Sequence, residues 1–205
     1  MALILRKDKG SKLTIKELDD NFIYLDNKSA TASTPYKVFT ALISQSGDSS
    51  TLNLPIGSSF EIGRTYTIAS YAAGDNFTNI GATQNATGSV FIATGATPSI
   101  WTEKGSKIQY VTGTPVVNIL ENTIGDIWFE YITMGQYSLK SNQLFTDNKT
   151  TITIGSEGYS GDYNRIINIS REDSNSSQIF IEAYSDTTLS DGLLYYTTIE
   201  VKVYN

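Results

Sequence analysis

Short segments in which apolar and polar residues alternate fill the C-terminal half of the chain, and this pattern restricts the fold most strongly. In two of these segments the apolar members share one side: Ile179, Ile181 and Ala183 in the first, and Ile199, Val201 and Val203 in the second. A period of two is that of a β-strand with one buried face. Many such strands with turns between them predict a mainly β chain, with an antiparallel β-sandwich or jelly-roll-like domain.

The predicted strands cover most of the chain after residue 35. Seven lie after residue 113: Val116–Leu120, Asp126–Ile132, Tyr137–Leu139, Thr150–Ile154, Arg165–Ser170, Gln178–Tyr184 and Leu194–Tyr204. Earlier, Tyr36–Ile43 is rich in β-forming residues, and a proline makes Leu52–Gly57 a connection or an edge strand. Ala73–Gly95 consists mainly of Gly, Ala, Thr and Asn, which predicts short strands, tight turns and a small core.

One segment, Leu13–Leu25, reads clearly as a short N-terminal helix. Thr14 is a suitable N-cap, Glu17 completes a capping box, and Asn27 is a plausible stop. Four apolar residues at spacings of three, four and three lie on one face: Ile15, Leu18, Phe22 and Leu25. A helix of about three turns is not stable alone in water.

The apolar face of this helix must therefore be covered by other residues. Packing against its own domain is one arrangement. Contact with the same face in neighbouring chains, or with a groove on a larger assembly, is the other. The small, polar run SATASTP after the helix resembles a linker and favours the second arrangement. We keep both arrangements and predict that Ile15, Leu18, Phe22 and Leu25 form an assembly interface.

Composition excludes several classes of function. The 205 residues carry a net charge of −6, which argues against a nucleic-acid partner and against binding to an anionic membrane. The chain has no Cys and no His, which removes thiolate metal sites and the commonest general base. No apolar run is long enough for membrane insertion, and ALIL at residues 2–5 is too short for a signal-peptide core. We expect a soluble protein without a signal peptide, cofactor or metal.

Several motifs resemble structural proteins of tailed bacteriophages. LTIKELDDNFIYLD resembles an LT-x-x-ELD-x-NF-x-x-L opening found in tail and fibre proteins. YTIASYAAGDNFTNIGATQNATGSVFIATG resembles a Gly/Thr-rich module of phage virion proteins. YKVFTALISQSG, VVNILENTIGDIWFEY, LFTDNKTTITIG and TTIEVKVYN are similar to pieces of one recurring β-module of such proteins.

The resemblance implies an insertion and thereby a domain organisation. In the β-module the first two pieces lie almost adjacent, whereas residues 48–113 separate them here. We predict an anchoring arm, helix and linker over residues 1–35, a discontinuous β-sandwich over 36–47 and 114–205, and an inserted Gly/Thr-rich β module over 48–113. Loop tips of β-sandwiches tolerate such insertions.

The resemblance also implies a function, a location and partners. We expect a non-enzymatic subunit of a virion, of the tail-fibre, head-fibre, spike or decoration type, made in the cytoplasm of the host bacterium. Its expected partners are further copies of itself in a homotrimer and other virion proteins. The alternative is a receptor-binding module that attaches to a host surface glycan, and a glycan-degrading tailspike is a remote third.

Three groups of side chains are candidates for chemical sites. Paired carboxylates of a glycosidase could come from Glu121, Asp126 and Glu130, although exposed surface acids explain them better. A weak calcium site could involve Asp186, Asp191 and the REDSNSS loop, although solvated turn acids are the preferred explanation. Aromatic residues in or near predicted loops could contact a glycan or form small loop cores: Phe77, Trp101, Tyr159 and Tyr163.

Overall fold

The protein divides into two compact units, residues 1–35 and residues 36–205. The structure is a computed structural model that describes residue 4 and residues 9–30, 35–155, 165–171 and 175–205, with only the backbone of 26–30. The first unit contains helix α1, Ile15–Ala30, which extends three residues past the predicted stop at Asn27. The helix therefore includes the first two residues of the run that resembled a linker.

Thirteen strands form the described part of the second unit. They are β1 Tyr36–Ser44, β2 Thr51–Leu54, β3 Thr65–Ser70, β4 Val90–Ile92, β5 Lys107–Val111, β6 Val116–Asn122, β7 Ile127–Thr133, β8 Gln136–Ser141, β9 Thr150–Gly155, β10 Arg165–Ser170, β11 Gln178–Ser185, β12 Thr188–Leu189 and β13 Thr197–Tyr204. A 3₁₀ turn, Thr78–Ile80, precedes β4. The seven strands predicted after residue 113 are all present, and the two-residue strand β12 was missed.

Two antiparallel sheets share one hydrophobic core and form the sandwich. The first sheet has the order β6-β1-β13-β9, and the second has the order β10-β11-β8-β7 with β12 paired to β11. Inward residues of both sheets join a single cluster; Phe39 and Val201 come from the first sheet, and Leu139 and Ile181 from the second. The described part of the chain consists mainly of antiparallel strands, with helix only in a short segment, so the predicted mainly β, antiparallel fold class is confirmed.

The alternating pattern places side chains as predicted. In β11 the residues Ile179, Ile181 and Ala183 are fully buried. In β13, Ile199 and Val201 are also fully buried. Since neighbouring residues on these strands are more exposed, a period of two correctly identified both the strands and their buried faces.

Residues 51–111 form a third sheet with a core of its own. Its order is β2-β5-β3-β4, which puts β2 at an edge, as its proline-containing segment predicted. The core is larger than the Gly/Thr-rich segment alone indicated, because flanking residues contribute: it contains Phe60, Tyr66, Ile68, Phe77, Ile80, Ala82, Phe91, Ala93 and Ile108. The description of this sheet as an insertion into a host sandwich stays a prediction.

A buried carboxylate organises one end of the third sheet. Asp75 is 2% exposed and accepts hydrogen bonds from the Ser106 N–H at 2.6 Å and the Thr102 N–H at 2.9 Å. Burial by itself would raise the pKa of Asp75, but these donors and the neighbouring hydroxyls outweigh it and hold the pKa below its usual value. The carboxylate thereby ties residues 102–106 to the start of the Gly/Thr-rich segment.

Backbone hydrogen bonds join the third sheet to the sandwich at Gly63. The Val117 N–H on β6 donates to the Gly63 carbonyl at 2.9 Å, and the Gly63 N–H donates to Ala93 at 2.7 Å. Gly63 has a φ of +88°, and a Cβ at this position would lie 1.9 Å from the Val117 carbonyl oxygen. Only glycine fits there, because the φ angle is positive and because a Cβ would clash with the backbone of β6.

Replacing Gly63 tests how much this junction contributes to stability. We expect Gly63→Ala to lower the free energy of unfolding by more than about 3 kcal/mol, because a positive φ and a backbone clash act together. Gly57 is a matched control, since its φ is +81° with no atom within 4 Å of the added Cβ. Gly57→Ala should lower it by about 1 kcal/mol. Urea unfolding measures both, and equal losses would contradict the role of the junction.

Candidate functional site

Helix α1 begins with the predicted capping box. The Thr14 N–H donates to Glu17 Oε2 at 2.7 Å, and the Glu17 N–H donates to Thr14 Oγ1 at 3.3 Å. Lys9 forms an ion pair with the same Glu17 carboxylate. The Lys9 ammonium and the donors of Thr14 lower the pKa of Glu17 to about 2, so the capping carboxylate stays ionised in moderately acidic solution as well.

Two residues before the helix, Ile4 and Lys9, contact its polar face. The Ile4 N–H donates to Asn21 Oδ1 at 2.9 Å, and the Asn21 amide donates back to the Ile4 carbonyl at 2.8 Å. Lys9 reaches Glu17 on the same side of the helix. These contacts place Ile4 and Lys9 on the polar side of α1 and not on its apolar stripe. No pattern in the sequence predicts the contacts of Ile4 with Asn21 and of Lys9 with Glu17.

The four predicted interface residues all lie exposed on α1. Their exposed fractions are 79% for Ile15, 43% for Leu18, 69% for Phe22 and 51% for Leu25. Ile23 is also exposed, at 58%, but a rotation of about 100° per residue places it outside the stripe. The first unit, described by itself, therefore presents an apolar stripe to solvent. That another copy of the chain covers this stripe stays a prediction.

The three carboxylates weighed as a glycosidase pair are exposed and dispersed. Glu121 lies on β6 in the first sheet, whereas Glu130 lies on β7 in the second, and Asp126 lies in the loop between them. The Glu130 carboxylate forms an ion pair with Lys140 at 3.2 Å. The structure gives these groups the surroundings of surface acids.

The described members of the calcium alternative do not form a metal site. Asp186 is exposed in the turn between β11 and β12. Residues 172–174 of the REDSNSS loop lie outside the described residues. Within the described ranges, no group of three or more Asp or Glu side chains is arranged to hold a metal ion.

Asp191 is the centre of a partly buried polar network that the sequence pattern did not reveal. Its carboxylate accepts hydrogen bonds from the Tyr131 hydroxyl at 2.9 Å, the Tyr137 hydroxyl at 2.8 Å and the Gly135 N–H at 2.9 Å. Burial and the Asp191 carboxylate raise the pKa of Tyr131 to about 12 and that of Tyr137 far above its usual range. The network fastens residues 186–192 to the β7–β8 hairpin, which is a structural role.

The aromatic residues weighed as glycan contacts are core residues where the structure describes them. Phe77 is fully buried, and the partly buried Trp101 packs against the same cluster. The Trp101 indole N–H donates to the Ser106 carbonyl at 2.9 Å. Both residues therefore form part of a small core, which is the structural alternative to a glycan contact. Tyr159 and Tyr163 lie outside the described residues.

Comparisons with known proteins assign no family to the chain. Protein-family models, curated proteins and solved structures were searched, and none of the three searches found a match. Among the described helices, none is long and apolar enough to cross a membrane.

The Asp191 network predicts a pH dependence of stability. Because folding raises the pKa of Tyr131 and Tyr137, both stay protonated in the folded state, whereas unfolded tyrosines ionise near pH 10. The stabilising effect is complete below pH 10 and declines as the pH rises further, and the part due to Tyr131 is lost by about pH 12. We expect the free energy of unfolding to fall by up to about 1.4 kcal/mol per pH unit for each tyrosine.

Urea unfolding at pH 9, 10 and 11 measures this slope. The double variant Tyr131→Phe and Tyr137→Phe is expected to be less stable overall but to show a flatter decline. Tyr204→Phe, which removes a hydroxyl at the opposite end of the fold, should keep the slope of the parent protein. Parallel declines in the parent and the double variant would contradict the prediction.

Proposed function

We propose that the chain is a non-enzymatic structural subunit of a phage particle, of the fibre, spike or decoration type. In this proposal the chain assembles as a homotrimer through the apolar stripe of α1, and the β unit is carried on the particle with other virion proteins as neighbours. The virion is its proposed location. The resemblance of three motifs to phage structural proteins supports the assignment.

The observation that carries the proposal is the difference between the two faces of α1. Ile4 and Lys9 contact the polar face of α1 through Asn21 and Glu17, while the stripe of Ile15, Leu18, Phe22 and Leu25 is exposed. Exposed apolar side chains grouped on one face mark interaction sites in soluble proteins. Matching stripes on several helices cover one another in the manner of a bundle.

A pair of neighbouring substitutions tests this assembly. Phe22 and Ile23 are similarly exposed, at 69% and 58%, yet only Phe22 belongs to the stripe. We expect light scattering to give three times the 22.5 kDa of one chain for the parent protein and one chain for Phe22→Asp. A buried aspartate would leave an unpaired charge in the interface, which is strongly unfavourable.

Ile23→Asp is the matched control and should keep the trimer mass. The double variant Ile15→Asp and Phe22→Asp should be monomeric as well. A parent protein that is already monomeric, or a Phe22→Asp variant with unchanged mass, would contradict assembly through this stripe.

Electron microscopy of intact particles tests the proposed location. Particles that contain the chain, labelled with an antibody against residues 48–113, should show density at one symmetric set of positions. We expect the label on the outside of the head, collar or tail. Particles that carry no label, although the cell extract contains the chain, would contradict the proposal.

A further inference from the structure

A cleft of about 440 Å³ opens on the outer face of the first sheet, where β1 ends. Its floor includes Leu42 and Ser44 of β1 and Asn118 of β6, which alternate with inward-facing core residues. Residues 61–64 form one wall, and residues 194–196 form the other. This volume is within the range of about 300–1,000 Å³ that is common for sites of small molecules.

Two adjacent tyrosine rings dominate the second wall. Tyr195 and Tyr196 are 51% and 52% exposed, and their rings lie 4.7 Å apart at an angle of 80°. Two nearly perpendicular aromatic faces can contact two faces of a ligand that carries C–H groups. Tyrosine supplies such contact area with a polar tip at its end.

The backbone that presents these rings is held in an uncommon conformation. Tyr196 has a φ of +43°, which is unfavourable for a bulky residue. Its N–H donates to Ser44 Oγ at 3.0 Å, and the preceding Leu194 is buried with its carbonyl accepting from the Gln45 N–H at 2.8 Å. The surrounding structure thus fixes the direction of the tyrosine pair. Strain that is retained in this way is common at binding sites.

The floor and wall offer neutral hydrogen-bonding groups. The Asn118 side chain is exposed and has no hydrogen-bond partner among the described residues, so it provides two donors and an acceptor. Ser44 Oγ already accepts from Tyr196, which leaves its hydroxyl hydrogen to donate to a ligand. Such groups match the hydroxyls of a sugar, which both donate and accept.

Charges in the cleft are balanced. The Arg64 guanidinium forms an ion pair with Glu61 at 2.6 Å and lies 5.0 Å above the ring of Tyr110. The rest of the lining is uncharged. A phosphate or another anion would have to compete with Glu61 for Arg64, which disfavours an anionic ligand.

The backbone beside the cleft is not available for strand addition. Val117 on the edge strand β6 already donates to Gly63, and β1 lies between β6 and β13. A peptide that binds by extending a sheet would need free backbone groups at this position. We therefore assign recognition in this cleft to side chains.

We propose that this cleft binds a neutral oligosaccharide. Tyr195 and Tyr196 stack on the C–H faces of the sugar rings, and Asn118 and Ser44 contact their hydroxyls. The site lies on the sandwich next to its junction with the third sheet, and it uses none of the aromatic residues that the sequence pattern suggested. It is independent of the proposed assembly through α1.

The test uses the full chain on an array of neutral and acidic glycans, followed by calorimetric titration with the best-bound neutral oligosaccharide in solution. We expect binding to neutral glycans and a loss of about tenfold or more in Tyr195→Ala and in Tyr196→Gly. Tyr196→Gly removes the ring and suits a positive φ, so its thermal midpoint should be no lower than that of the parent. Loss of binding without loss of stability would identify the ring as a contact.

A second tyrosine pair provides the matched control. Tyr36 and Tyr204 also form an edge-to-face pair, with ring centroids 5.5 Å apart, at the other end of β1 and β13. Tyr204→Ala should leave the affinity for the oligosaccharide unchanged. Phe22→Asp should also keep the affinity per chain in the titration. Failure of assembly through α1 can therefore be distinguished from failure of binding in the cleft.

Three results would overturn the proposal. The first is the absence of any neutral glycan bound above background. The second is binding that both Tyr195→Ala and Tyr196→Gly leave intact. The third is self-association of the parent chain that these two variants abolish, which would make the cleft an interface between copies.

Discussion

Strand β1 is the element on which the rest of the β unit depends. It lies between β6 and β13 in the first sheet and is paired with both along most of its length. Its inward residues Phe39, Ala41 and Ile43 are fully buried in the shared core of the sandwich. Its outward residues Leu42 and Ser44 form part of the floor of the cleft. The alternation over residues 39–44 therefore supports the core on one side and the candidate binding surface on the other.

The features that could be predicted from the sequence are those that short-range patterns determine. The alternation of apolar and polar residues predicts the strands. It also predicts that Ile181 and Val201 lie in the core, without any information on strand pairing. The capping box of Thr14 and Glu17 follows equally from a spacing of three residues. The end of the helix was placed too early, because Asn27 is tolerated within a helix that continues to Ala30.

The features that could not be predicted depend on residues that are distant in sequence. Asp191 meets Tyr131 and Tyr137 across 54 residues or more, and neither spacing nor composition indicates this contact. Phe77 was weighed as a loop aromatic because the residues that enclose it, such as Phe60 and Ile108, lie outside its own segment. The cleft likewise requires four separate segments to meet, and a Tyr-Tyr pair in a loop has no distinctive pattern.

The pairing of β1 with β13 has a geometric consequence for anything attached to this chain. Tyr36, where the chain enters the β unit, is the register partner of Tyr204. Ser44, at the cleft, is eight residues further along β1, which corresponds to about 27 Å at about 3.4 Å per residue. A polypeptide fused after Asn205 would therefore emerge beside the point where residues 1–35 join the β unit. Surface immobilisation through such a fusion would leave the cleft at the distal end of the β unit.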